Sequence, residues 1–211
     1  MNLVLIGASG FIGTALLEEA LARGHHVTAL VTRPERLAAR ERLRALRADV
    51  LDAGALRAQF AGADAIISAF SGHAQEDVCG YFVAGIRSII GAALDASLRL
   101  LVVGGAGSLE VAPGLQLIDT PEFPAAYRAT AEGARQALKL LRGQSDLNWT
   151  MLSPSAVIAP GERTGVFRLG ADQLLSAADG SSRISVEDYA FAMLDELERP
   201  AHARQRFTVG Y

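Results

Sequence analysis

The sequence predicts an α/β fold in which a doubly wound parallel sheet carries helices on both faces. Short apolar runs, typical of strands that are buried on both sides, alternate along the chain with stretches of helical periodicity. The chain has 211 residues, of which 50% are hydrophobic, and this fits one domain with a sizeable core. Such alternation implies right-handed crossovers between parallel strands.

The predicted elements follow one another along the whole chain. The strands are expected at Leu3–Ile6, Val27–Val31, Ala65–Phe70, Leu100–Val103 and Trp149–Leu152, with a weaker one near Leu46–Val50 and a last one at Arg206–Val209. The helices are expected at Phe11–Arg23, Pro34–Leu43, Gly54–Phe60, Val78–Ala96, Phe123–Leu141 and Val186–Glu198. Gly24 is suited to end the first helix, and Ser185 to begin the last one.

No linker, repeat or low-complexity segment divides the chain, so we expect a single domain over residues 1–211. Residues 1–155 contain the regular alternation and form the expected core. After Pro154 the rhythm changes to short, turn-rich stretches. Residues 156–211 are therefore predicted to form a small C-terminal cap on the substrate side, with a closing strand, and not an independent domain.

Three glycines, Gly7, Gly10 and Gly13, lie between the first predicted strand and the first predicted helix. In this context the G-x-x-G-x-x-G spacing is typical of a Rossmann-type dinucleotide-binding turn. Gly7 permits a sharp turn, Gly10 lets the backbone approach a pyrophosphate, and Gly13 lets the helix pack on the sheet. The helix N-terminus would face the phosphates. The neighbouring residues expected to contact the cofactor are Ala8, Ser9, Phe11 and Ile12. A tight turn without a ligand is the alternative.

The end of the second strand favours NADP(H) over NAD(H). NAD-specific turns carry an acidic residue there that bonds the ribose 2′-hydroxyl, whereas this chain has Thr32 and Arg33 and no carboxylate. Arg33 can meet a 2′-phosphate with its charged fork, and Arg36 can assist. A solvated Arg33 without a ligand is the alternative.

Two further strand ends are expected to line the cofactor. Asp49 and Val50 follow the third strand, where such folds contact adenine. Ala69, Phe70 and Ser71 follow the fourth strand and are expected beside the ribose and the nicotinamide.

The turn "GASGFIG" resembles the atypical branch of the short-chain dehydrogenase superfamily. The segments "VVGGAGSLEV", "LNWTMLSPSAVIAPGERTG" and "SRISVEDYAFAMLDELERP" resemble the bacterial NADH-flavin reductases, which are relatives of NmrA-like and biliverdin-IXβ-reductase-like proteins. The resemblance covers essentially the whole chain. It implies a seven-stranded Rossmann sheet with the cofactor across the carboxyl ends of the strands. It also implies that Gly104, Gly105 and Ala106 lie beside the nicotinamide, with Pro154 and Ser155 behind it.

The tyrosine and lysine that most short-chain dehydrogenases use as an acid/base pair do not occur at the required spacing. Ser108 and Tyr127 stand about where the superfamily has its catalytic serine and tyrosine, but the lysine position is Ala131. The single lysine of the chain is Lys139. A tyrosine without a nearby cation keeps a pKa of about 10 and is a poor base at neutral pH. Tyr127 can still donate a hydrogen bond, or it can be purely structural.

These residues favour a reductase that transfers hydride from NADP(H) to a flavin, such as FMN or riboflavin, or to a similar conjugated acceptor. Such a transfer needs two flat rings in contact and no strong acid or base. Two rival functions stay open. One is an NmrA-like dinucleotide sensor without turnover, and the other is an NAD(P)-dependent epimerase or dehydratase with non-standard catalytic residues.

The remaining expectations concern the substrate and the partners. His73 and Arg163 lie in loops where they can contact the acceptor, and no spacing of ligands predicts a metal site. The net charge of −3 gives no reason to expect nucleic acid, and no apolar run approaches a membrane span of about 20 residues. The lone Cys79 fits a reducing compartment, so we expect a cytoplasmic protein that is a monomer or a homodimer.

Overall fold

The computed structural model describes residues 1–73 and 75–211. The helices are α1 (Phe11–Ala22), α2 (Ala53–Gln59), α3 (Val78–Asp95), α4 (Ala125–Arg142) and α5 (Val186–Glu198). The strands are β1 (Asn2–Ile6), β2 (His26–Val31), β3 (Leu43–Arg47), β4 (Ala65–Ser68), β5 (Arg99–Val103), β6 (Glu110–Ala112), β7 (Leu115–Gln116), β8 (Trp149–Ser153), β9 (Val157–Ala159), β10 (Arg168–Gly170), β11 (Arg183–Ser185) and β12 (Gln205–Gly210).

The main sheet has eight strands in the order β3-β2-β1-β4-β5-β8-β12-β10. Every neighbouring pair is parallel except β10 and β12, which are antiparallel. The resemblance implied seven strands, and the eighth is this short antiparallel edge strand. The strand order reverses between β1 and β4, which is the topological switch point where open α/β sheets bind ligands. The predicted doubly wound α/β fold is confirmed.

The sheet is buried on both faces, and β1 shows why its sequence is apolar throughout. Leu3 and Leu5 point into a core formed with α1 and α5, whereas Val4 and Ile6 point into a second core formed with α2, α3 and α4. Successive side chains of a strand alternate between the two faces, so a strand covered on both sides needs an unbroken apolar run.

The helix α3 is long and apolar enough, by length and composition, to cross a membrane. In this fold its buried side chains, among them Phe82, Ile86 and Ile89, belong to the core that it forms with α4 and the sheet. Its hydropathy is therefore accounted for by packing inside the domain.

The predicted helix over Pro34–Leu43 is wrong. The structure has a single 3-10 turn at Pro34–Arg36, followed by irregular backbone that leads into β3. A helix there would have been polar on nearly every side, so it offers no apolar stripe to bury. Arg40 of this stretch pairs with Glu18 of α1, and the next arginines, Arg44 and Arg47, lie on β3.

The third strand also lies earlier than expected, at Leu43–Arg47 in place of Leu46–Val50. It pairs in parallel with β2 over five residues, from Val27 opposite Leu43 to Val31 opposite Arg47. Asp49 and Val50 consequently lie in the turn after the strand, where the Asp49 carboxylate accepts a hydrogen bond from the Leu51 amide at 3.0 Å.

The C-terminal residues serve both the core and the ligand side. The helix α5 packs against α1, and β12 lies inside the main sheet between β8 and β10. The stretch between β8 and α5 contains the small parallel pair of β9 and β11. Residues 156–211 therefore complete the sheet as well as covering part of its carboxyl edge.

Candidate functional site

Two adjoining cavities follow the carboxyl ends of the sheet strands. One, of about 660 Å³, lies over the ends of β1, β2 and β3, and the other, of about 800 Å³, lies over the ends of β4, β5 and β8. Their shared wall consists of Gly10, Ala69, Phe70, Ser71 and His73. The shared wall follows β1 and β4, the two strands that flank the switch point, so the cavities form one cleft across it.

Two of the three glycines are required by the protein itself. Gly7 has φ of +81°, and a Cβ there would lie 2.6 Å from the carbonyl oxygen of Ala69. A Cβ on Gly13 would overlap the carbonyl oxygen of Gly7, so only glycine lets α1 start this close to the turn. The sharp turn and the close packing that the sequence predicted are thus both present.

Gly10 is different, because the protein around it does not require glycine. Its backbone is extended, with φ of −82° and ψ of 172°, which any residue adopts. A Cβ would have its nearest neighbour at 3.4 Å, the carbonyl oxygen of Gly7. Gly10 lines both cavities, so a side chain there would occupy the cleft and not the core.

The N-terminus of α1 suits an anion. The N-cap residue of α1 is Gly10, which has no side chain to accept hydrogen bonds from the first amides, and the first turn of α1 contains no acidic residue. The first amides of a helix have no partner within it and carry partial positive charge. Together with the bare backbone of Gly10, these amides fit the pyrophosphate of a dinucleotide.

The first cavity is suited to the adenosine half of a dinucleotide. Its walls include Ser9, Thr32, Asp49, Val50 and Tyr81, and four of these were expected to contact the cofactor. The cationic side chain in this wall is Arg47, which lies at the end of β3. Arg33 and Arg36 are exposed beside the cavity and do not line it.

Sequence reasoning missed Arg47. The helix predicted over residues 34–43 displaced the third strand, so Arg47 was not placed at a strand end. In the observed register it lies opposite Val31, beside the Thr32 turn. Correct placement of β3 would have pointed to it.

The second cavity is apolar and bordered by aromatic rings. The Phe70 ring stacks on Phe82 with centroids 5.7 Å apart and meets Tyr81 edge-on at 5.5 Å. The other apolar and aromatic walls are Phe11, Ile12, Val103, Leu117, Phe123, Pro124, Tyr127, Val157 and Ile158. Walls of this kind bury flat hydrophobic molecules.

Tyr127 and Ser108 are not brought together in this cavity. Tyr127 lines it and is 64% exposed as a residue, whereas Ser108 is buried and does not line it, and accepts a hydrogen bond from Arg206 Nη1 at 3.2 Å. Ala131 lines the cavity at the position of the superfamily's lysine. Lys139 lies twelve residues beyond Tyr127, or about 18 Å along α4.

His73 lines both cavities, where the nicotinamide and the acceptor are expected to meet. Its Nε2 lies 3.1 Å from Thr130 Oγ1, which also lines the second cavity. The pair supplies hydrogen-bonding groups on a wall that is mostly apolar.

Arg163 lies away from both cavities. Its guanidinium pairs with the buried carboxylate of Glu19 at 2.7 Å and lies 4.5 Å above the Phe191 ring, which Arg23 also contacts. The hydrogen bond from Arg163, with that from Arg23, holds the pKa of Glu19 below its ordinary value despite burial. Arg163 thus ties the segment after β9 to α1.

The site residues predicted from the sequence fall into two groups, those that line the cleft and those that do not. Those that line the cleft are Gly7, Ser9, Gly10, Phe11, Ile12, Thr32, Asp49, Val50, Ala69, Phe70, Ser71, His73, Gly104, Gly105, Ala106, Tyr127, Pro154 and Ser155. Those that do not are Ala8, Arg33, Arg36, Ser108 and Arg163. Over residues 1–73 and 75–211, no three His, Cys, Asp or Glu side chains cluster in a way that could hold a metal ion.

Comparisons with known proteins agree with a dinucleotide cleft. The sequence profile described as NAD(P)H-binding matches residues 7–198. The chain is 43% identical to the uncharacterised protein YwnB of Bacillus subtilis (strain 168), over 99% of this chain and 98% of that protein.

Two solved structures share the whole fold. A candidate epimerase from Bacteroides thetaiotaomicron superposes with a TM-score of 0.93 at 44% identity, covering 100% of this chain and 96% of that one. A candidate NADH-flavin reductase from Streptococcus pneumoniae TIGR4 superposes with a TM-score of 0.89 at 34% identity, covering 100% and 99%.

Proposed function

Because the chain belongs to the NAD(P)H-binding family, we propose that it is an NADP(H)-dependent reductase that transfers hydride to a flavin or a similar conjugated acceptor. The observation that carries this proposal is the apolar, ring-bordered cavity that opens directly into the dinucleotide cleft. The similarity to a candidate NADH-flavin reductase supports the same chemistry.

The glycine turn and the N-terminus of α1 would hold the pyrophosphate, and Thr32, Asp49 and Val50 would surround the adenosine. Gly104, Gly105 and Pro154 would form the wall beside the nicotinamide. NADPH bound there supplies a hydride to whatever acceptor occupies the second cavity.

The protein would position the acceptor, exclude water from it and offer it one polar pair, His73 and Thr130. Phe11, Phe70 and Tyr127 would hold a flat acceptor against the bound dinucleotide and exclude water from one side of it. The acceptor gains the hydride and one proton from water or from His73, so no strong base is required. This fits an alanine at position 131, where a carbonyl reductase needs a lysine.

The preference for NADP(H) rests on two arginines. Arg47 lines the adenosine cavity, and Arg33 is exposed next to Thr32 at its edge. Guanidinium groups pair well with phosphate, and no carboxylate ends β2 to bond a free ribose hydroxyl.

The second candidate function is an epimerase or dehydratase, which the similarity to a candidate epimerase from Bacteroides thetaiotaomicron favours. Such an enzyme abstracts and returns a proton or hydride with no net consumption of the cofactor. The positions of Tyr127 and Ser108, which are not brought together, argue against it. A sensor without turnover is the remaining rival.

The proposal is tested by following the absorbance of NADPH with purified protein, first alone and then with riboflavin, FMN or a quinone. A reductase oxidises NADPH only when an acceptor is present. An epimerase or a sensor binds NADPH and leaves it unoxidised with every acceptor, and that result would overturn the proposal.

Arginine variants test the cofactor preference. We expect Arg47→Ala and Arg33→Ala each to raise the Kd of NADPH by about tenfold and to change that of NADH little, since a charge-assisted bond contributes about 1.5 kcal/mol or more. The matched control is Arg57→Ala, which removes an exposed arginine of α2 that does not line the cleft. Equal losses for NADPH and NADH would mean that neither arginine contacts the 2′-phosphate.

A further inference from the structure

The second cavity, in which the acceptor would bind, has few charged groups in its wall, and these restrict which molecules can enter it. No lysine or arginine is among its described lining residues, and Glu122 is the carboxylate on its wall. Glu122 is exposed, so it lies where the cavity meets solvent. The imidazole of His73 lies on the side of this cavity that adjoins the first one.

The entrance is also apolar. Three exposed large hydrophobic side chains, Phe11, Tyr127 and Val157, lie on the same wall, at 52%, 64% and 58% exposure. Isolated exposed hydrophobics are common on proteins, but three around one opening mark a surface that contacts a hydrophobic molecule. The entrance therefore favours an uncharged molecule over an anion.

Arg128, a cation on α4, does not line this cavity and is engaged in other contacts. Arg128 donates hydrogen bonds to the carbonyl oxygen of Ile118 at 2.8 Å and to that of Phe123 at 3.4 Å. Its guanidinium lies 5.6 Å from the Phe123 ring centroid and does not line the cavity. A phosphate on an entering molecule would thus meet Glu122 without a lining cation to balance it.

We infer that Glu122 makes this pocket selective for neutral planar acceptors, such as quinones or a flavin without phosphate, and against their phosphorylated or sulfonated forms. This inference rests on the proposed function, since it concerns the acceptor of the same site. It assigns Glu122 a role in specificity and no role in the hydride transfer itself.

Riboflavin and FMN test it directly, because they share one ring system and differ by the phosphate. Quenching of flavin fluorescence gives the Kd of each for protein saturated with NADP⁺, and it requires no turnover. We expect riboflavin to bind about fivefold more tightly than FMN at about 0.01 M salt, and the difference to shrink towards about 1 M salt.

Substitutions of Glu122 then test whether this residue causes the difference between the Kd values of riboflavin and FMN. Glu122→Gln keeps the shape of the side chain and is expected to bring the two Kd values within about twofold, and Glu122→Lys is expected to make FMN the tighter ligand. The matched controls, Glu41→Gln and Glu41→Lys, make the same changes of net charge at an exposed glutamate outside the cleft. They are expected to leave the ratio at the wild-type value.

Each outcome is decisive. FMN binding as tightly as riboflavin to the wild type, or a ratio that Glu122→Lys leaves unchanged, overturns the inference. If neither flavin binds, the Kd values of 1,2-naphthoquinone and its 4-sulfonate, measured by calorimetry on the NADP⁺-saturated protein, replace those of the flavins. Equal Kd values, or no binding of either quinone, overturn the inference. Absence of NADPH oxidation with every acceptor defeats the proposed function alone, because the flavin binding ratio is read without turnover.

Discussion

Gly7, Gly10 and Gly13 belong to one sequence pattern, yet each is glycine for a different physical reason. Gly7 needs a positive φ, and Gly13 needs room for a neighbouring carbonyl oxygen. Gly10 has neither need, since its backbone is extended and a Cβ would be accommodated. A glycine that the fold does not require, placed on the wall of a cleft, points to a ligand that approaches the backbone closely.

The two substitutions Gly10→Ala and Gly13→Ala separate ligand binding from folding. We expect Gly10→Ala to lower the free energy of unfolding by no more than about 1 kcal/mol, the cost of alanine at a helix N-cap, and to raise the Kd of NADPH at least about tenfold, because the methyl group occupies the pyrophosphate position. We expect Gly13→Ala to lower the free energy of unfolding by about 2 kcal/mol through overpacking. Urea titration and quenching of NADPH fluorescence measure these effects. If Gly10→Ala binds NADPH as tightly as the wild type, the pyrophosphate does not bind at this turn.

At the scale of elements, the N-terminus of α5 organises the segment that precedes it. The Ser185 hydroxyl caps the helix by accepting from the Asp188 amide at 3.0 Å. The Asp188 carboxylate is fully buried and accepts from Thr164 Oγ1 at 2.6 Å, from the Gly165 amide at 2.8 Å and from Tyr211 Oη at 2.8 Å. One carboxylate thus joins α5, the turn before β10 and the C-terminus.

Loss of this buried carboxylate leaves three donors, those of Thr164, Gly165 and Tyr211, without their partner. We expect Asp188→Ala to lower the free energy of unfolding by about 3 kcal/mol, and Tyr211→Phe, which removes one of the three donors, to cost about 1 kcal/mol. Chemical denaturation of both variants gives the comparison. If both variants lose the same small amount of unfolding free energy, the Asp188 carboxylate is hydrated and does not join these segments.

At the scale of the whole molecule, buried carboxylates connect elements that are distant in sequence. Glu19 of α1 pairs with Arg163, and Glu196 of α5 pairs with Arg99 of β5 at 2.5 Å and with His202 at 2.8 Å. Burial alone would raise the pKa of Glu196, but hydrogen bonds from His202 and from the Ala201 amide hold that pKa below its ordinary value. Hydrogen bonds from Arg163 and Arg23 do the same for the pKa of Glu19.

A lowered carboxyl pKa makes the stability depend on pH in one direction. The contribution is fully present above the ordinary carboxyl pKa of 4.5 and is lost as pH falls through the lowered pKa of the folded state. We expect the urea midpoint to stay level from about pH 7 to pH 5 and to decline below about pH 4.5. Glu19→Gln should reduce that decline, and an unchanged decline would assign it to other groups.

The sequence by itself determined the layers of the fold and the place of the cleft. Apolar runs such as those of β1 and β4 specify strands buried on both faces, and the spacing of Gly7, Gly10 and Gly13 specifies the turn between β1 and α1. These signals are local, since each depends on the periodicity or the backbone freedom of a few consecutive residues. The start of α5 after Ser185 was readable for the same reason.

Only the tertiary structure decided which polar side chains face the cleft. Arg47 lines the first cavity because of the register of β3 on β2, and Arg163 lies away from both cavities in an ion pair with Glu19. Glu122 lines the second cavity because of the packing of the segment before α4. Such placements depend on contacts between residues far apart in sequence, which propensity and periodicity do not encode.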